Sequence, residues 1–92
     1  MLTYVIIFDL PDSSPIGVTD IITRYLKGFS EWAKPAPNAW LVSSPKPITL
    51  IRDELKNLTL FPIKYLVIAV NGDAWASSHM TKEINDWLGT HL

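Results

Sequence analysis

A chain of 92 residues holds one small domain, and 48% hydrophobic against 18% charged residues is enough apolar side chain to offset the entropy of folding. Cysteine is absent, which excludes a disulfide framework and a thiolate metal site. A formal charge of −1, with the eight Lys and Arg residues scattered, argues against tight phosphate-backbone binding by one copy; a symmetric dimer would double any basic face.

The opening, MLTYVIIFDLPD, lacks the cationic start and small-residue cleavage site of a secretory signal. No apolar run is long enough for a bilayer span. The expectation is a soluble cytoplasmic protein with no membrane partner.

Residues 3–9, Thr-Tyr-Val-Ile-Ile-Phe-Asp, are β-branched and aromatic without a helical period. They predict a central strand buried on both faces. Pro11 and Pro15 end it, because their rings carry no ladder donor. Val18, Ile21, Ile22, Tyr25, Leu26 and Phe29 then recur at helical spacing, with Asp20, Arg24 and Lys27 outside the stripe. Acid early and base late suits the helix dipole, and Gly28 falls at the helix end.

The segment SEWAKPAPNAWLVSSP predicts two short strands, Glu31–Lys34 and Ala39–Ser43, with the prolines best placed at a sheet edge. Ile48, Ile51, Leu55 and Leu58 mark a second helix, with Pro47 in its first turn. KYLVIAV (64–70) is a further buried strand, followed by a turn at Asn71-Gly72-Asp73. AWASSHM is a short strand or a loop. Met80, Ile84, Trp87 and Leu88 announce a last helix, with Thr81 or Ser78 as its N-cap. The order β-α-β-β-α-β plus a helix is the ferredoxin-like α+β pattern, with the two crossover helices on one face of an antiparallel sheet. It occupies residues 1–92 as a single domain and settles no chemistry.

The candidates for chemistry are few. Asp9 ends the first strand, where a carboxylate can be held rigidly for a hard cation such as Mg²⁺, and Asp12 could join it. Equally, both suit turn formation, since Asp bonds nearby backbone in such loops. His79 and His91 lack zinc-pair spacing and are expected to face solvent. No serine lies in a nucleophile motif, and the four glycines form no phosphate-binding loop. Four tryptophans are many for this length. Trp87 fits the apolar stripe of the last helix. Trp32, Trp40 and Trp75 could stack bases or anchor a partner, and would serve equally in packing the last helix across the sheet. Lys27, Lys34 and Lys46 flank loops and are the candidate phosphate contacts.

The blocks TYVIIFDLPD, SEWAKPAPNAWLVSS, IRDELKN and INDWLGTHL, with their spacing, resemble the SinR-like small bacterial proteins. These are relatives of the CRISPR-associated small ferredoxin-fold nuclease. The resemblance implies a homodimer in which the strand-one Asp of each copy faces its mate and holds a divalent metal for phosphodiester cleavage. Asp9 matches that residue. The sequence departs from the nucleases after it, with LPDSSPIGV where they carry a charged, often basic, stretch. Two functions are therefore expected in competition. One is a Mg²⁺-dependent endonuclease acting on RNA or DNA. The other is a non-catalytic dimerisation or regulatory module engaging protein or nucleic acid.

Overall fold

The computed structural model describes residues 1–70, 72 and 75–92. The expected turn at Asn71-Gly72-Asp73 therefore lies largely outside the described residues. The elements run β1 (Leu2–Asp9), α1 (Val18–Lys27), β2 (Glu31–Ala36), β3 (Ala39–Ser44), α2 (Ile48–Lys56), β4 (Lys64–Val70) and α3 (Lys82–His91). All sheet pairings are antiparallel and the strand order is β2-β3-β1-β4, the ferredoxin-like arrangement with an added C-terminal helix.

Strand alternation divides the apolar residues between two faces. Tyr4, Ile6, Phe8, Trp40 and Val42 meet Val18, Ile22 and Leu26 of α1 and Ile51 and Leu55 of α2 in the main core. Both crossover helices thus lie on one face, as the periodicity requires. The other face carries Val5, Ala33 and Leu41, against which α3 sets Ile84, Trp87 and Leu88. Thr81 is the N-cap, its Oγ1 accepting from the Ile84 N–H at 3.3 Å, which decides between the two cap candidates. Residues 75–80 form no strand.

Several local expectations change. β2 continues through Pro35 to Ala36, which an edge position and a register shift between Ala33 and Ala36 make possible. Gly17 is the N-cap of α1, and its φ of +93° is the left-handed geometry that glycine adopts freely. The largest departure concerns burial. β1 leaves Ile7 exposed, and no residue of β4 is fully buried, so neither strand is covered on both faces. The reason is that α3 lies over β2, β3 and the middle of β1 and leaves the β1/β4 side open.

Candidate functional site

Asp9 is the last residue of a central strand and sits opposite Lys64 in the β1/β4 register. Next along the same face come the pairs Ile7–Leu66 and Val5–Ile68. Leu66 is 53% exposed, Ile68 43% and Ile7 39%, so Asp9 borders an apolar patch that nothing among the described residues covers. A shallow cavity of about 360 Å³ beside it is lined by Asp9, Pro11, Pro62, Ile63 and Lys64.

Asp12 is absent from that lining. It lies exposed in the turn after Pro11, which Ser14 closes by donating both its N–H (2.9 Å) and its hydroxyl (2.6 Å) to the Pro11 carbonyl. Among the described residues, no three His, Cys, Asp or Glu side chains gather as a metal site. A resident all-protein cage for a metal is therefore not formed by these side chains, whereas Mg²⁺ is commonly held by one or two carboxylates with waters and substrate phosphate oxygens.

The tryptophans separate by burial. Trp40 is 1% exposed and is the largest fully buried side chain, so it is a core residue and not a partner anchor: α1 and α2 close over its side of β3. Trp32, 37% exposed on edge strand β2, packs against it at a ring distance of 5.2 Å. The two share one side of the β2–β3 hairpin. Trp75 is exposed, and Trp87 is half-buried on the side of α3 that faces the sheet, its indole N–H without a partner among the described residues.

The three lysines do not form one surface. Lys27 Nζ stands 5.8 Å from the Trp32 ring and Lys34 Nζ 5.5 Å from the Trp40 ring. Lys46 belongs to a different cluster. Its ammonium donates to Glu54 Oε1 at 2.7 Å, and the Tyr25 hydroxyl donates to the same oxygen at 2.8 Å. These two bonds hold the Glu54 carboxyl below its usual range, the lysine bond contributing most. Burial, then the neighbouring carboxylate, pushes the Tyr25 phenol far up. Lys46 is thus largely neutralised as a free phosphate contact. Its backbone carbonyl also accepts from the fully buried Tyr4 hydroxyl at 2.7 Å, tying the loop before α2 to the core.

His79 is exposed as expected, but His91 is not. Its ring stacks on Trp87 at 4.0 Å, and its Nε2 lies 3.3 Å from Glu31 Oε2 of β2. Together with the bond from Thr3 Oγ1 to the His91 carbonyl at 3.0 Å, this clamps the end of α3 to the sheet. Nothing in the spacing of Glu31 and His91 along the chain announces the contact.

Neither a family model, nor a curated protein, nor a solved structure matches this chain. No helix is long and apolar enough to cross a membrane among the described residues. The site is therefore defined by its own geometry: one exposed carboxylate at a strand end, a lysine opposite it in the register and an open apolar face.

Proposed function

We propose that this chain works as a cytoplasmic homodimer of the CRISPR-associated-nuclease-like, SinR-like kind, joined through the open β1/β4 face. Paired Asp9 carboxylates at its two-fold axis would form a Mg²⁺-dependent centre directed at nucleic-acid phosphodiesters. The observation that carries this is the position of Asp9 at the end of the uncovered Ile7–Leu66–Ile68 patch. An isologous interface repeats the same patch on both copies, and with the two-fold axis passing at the Asp9 end of that patch the two Asp9 groups would face one another. A standard interface takes about 800 Å² from each partner, roughly an eighth of the 6109 Å² surface here. Three side chains supply only part of that area, so the free edge of β4 must contribute as well.

Two facing carboxylates repel, which disfavours the doubly charged pair unless a cation lies between them. Mg²⁺, when bound, would supply charge neutralisation of the phosphate, with water and phosphate oxygens completing a shell that two carboxylates begin. Lys64, the cross-strand neighbour of each Asp9, would add a positive charge to that centre. The absence of cysteine fits a reducing compartment. The test is cleavage of labelled RNA and DNA oligonucleotides with Mg²⁺, with chelator, and by Asp9→Asn. Loss of cleavage in the last two, with the fold intact, is expected; undiminished cleavage by the Asn variant rejects the catalytic role.

The same dimer as a non-catalytic binding or regulatory module is the second reading. It is favoured by Asp9 standing opposite Lys64, with no cluster of three metal-ligating side chains among the described residues. Dimerisation without cleavage under any metal would select it.

A further inference from the structure

We propose that the exposed edge of β2 is a stacking site for single-stranded nucleic acid, with Trp32 as the platform and Lys27 and Lys34 as the phosphate contacts. This rests on the nucleic-acid reading above but on residues remote in sequence from Asp9. β2 is the outermost strand, so no further strand blocks the approach to Trp32. The Trp32 ring leans on the buried Trp40 at 5.2 Å, which fixes its orientation without covering it, and 37% of the residue remains exposed. Lys27 reaches it from the last turn of α1. Lys34 lies two residues along β2, about 7 Å away at strand rise, and its ammonium sits over the adjoining Trp40 ring.

Two cations flanking one exposed indole are what a single strand needs: a π surface for a base, and positive charge for the phosphates on either side. Glu31, the nearest acid in β2, does not oppose them, because it sits on the opposite face against His91. Lys27 already occupies the ring, but an exposed lysine–ring contact is weaker than base stacking. A base therefore displaces the ammonium, which then meets phosphate instead of indole. A duplex fits poorly, since its base faces are already stacked on one another.

The experiment measures binding to the Asp9→Asn protein, so that no probe is cut. The probes are labelled 12-mers of oligothymidylate and oligouridylate, and a duplex of equal length. Both single strands are expected to bind more tightly than the duplex. Trp32→Leu should weaken single-strand binding about tenfold, and Trp32→Tyr should largely retain it. Circular dichroism checks that the leucine variant is folded. The pair Lys27→Ala/Lys34→Ala, checked for folding by circular dichroism as well, should reduce the slope of log K against log salt by about 1.4 per copy, at roughly 0.7 for each lost phosphate contact. Equal or tighter duplex binding, an unaltered affinity in folded Trp32→Leu, or an unaltered salt slope overturns the site. Cleavage lost in Asp9→Asn while Trp32→Leu binds normally would overturn this inference and leave the catalytic one standing. Binding through Trp32 by a protein that never cuts does the reverse.

Discussion

Replacing Trp40 with Ala removes the largest fully buried side chain, packed between β3 and the two crossover helices. Truncating a buried Trp costs about 3–5 kcal/mol, including the cavity it leaves. A domain of 92 residues holds about 5–14 kcal/mol in total, at roughly 0.05–0.15 kcal/mol per residue. At the lower end of that range the variant would therefore be left with about 0–2 kcal/mol. With a urea dependence of about 2 kcal/mol per molar, a loss of about 4 kcal/mol lowers the unfolding midpoint by about 2 M. Trp32→Ala removes a side chain that is 37% exposed and leans on only one neighbouring ring, Trp40. Its cost should be about 1–2 kcal/mol, a shift of at most about 1 M. Urea titration followed by circular dichroism reads both, free of the lost tryptophan emission. Equal shifts for the two variants, or a Trp40→Ala shift below about 0.5 M, would refute the division into one core and one surface tryptophan.

Glu54 ionises below its ordinary value of 4.5 in the folded chain, chiefly through the Lys46 bond and then that of Tyr25. The resulting stability is present above the unfolded value and is lost as pH falls through the folded one. Acid should therefore lower the urea midpoint more in the parent than in Glu54→Gln; parallel pH profiles would count against the network. Tyr25 and Tyr65 are both pushed up, Tyr25 mainly by burial and then by Glu54, and Tyr65 by burial alone. Their contribution is present below the ordinary value of 10.0 and fades as pH rises through the folded values, so their phenolate absorbance should emerge with unfolding. Reversible titration of Tyr25 and Tyr65 at the ordinary value in the folded protein would contradict this. Leu66→Glu, at a position 53% exposed, should leave the subunit fold within about 0.5 kcal/mol of the parent. It should nonetheless abolish association in sedimentation experiments, and a persisting dimer would place the interface elsewhere.

The helical stripes of α1 and α2 and the breaks at Pro11 and Pro47 are local signals, and the elements they mark are the ones observed. Burial is less legible. An unbroken apolar run such as TYVIIF reads as covered on both faces, because composition does not reveal whether a second layer exists or how far it extends. α3 is too short to roof the whole sheet, so Ile7, Leu66 and Ile68 stay open even though their sequence is that of a core strand. The side shared by Trp32 and Trp40 follows from the hairpin. Their opposite burial depends on where α1 and α2 rest, which no local pattern encodes. The Lys46–Glu54–Tyr25 cluster and the His91–Glu31 clamp join distant segments, so a reading residue by residue takes Lys46 for a free cation and His91 for a solvent-facing side chain. Asp9 stands out in the sequence because a polar residue ending an apolar strand is conspicuous. What surrounds it emerges only from the β1/β4 register.

The most direct test of the proposed assembly uses the absence of native cysteine, which makes an introduced thiol unique. Asp9→Cys is treated with a short bis-maleimide at concentrations where sedimentation reports a dimer, beside Asp86→Cys on the exposed side of α3 as control. If the two β1/β4 faces meet with their Asp9 positions at the axis, the Asp9→Cys protein is converted to a covalent dimer and the Asp86→Cys protein is not. A dimer that cross-links through position 86 but not through position 9, or a strict monomer at every concentration, would contradict the assembly and remove the basis for a paired-carboxylate centre.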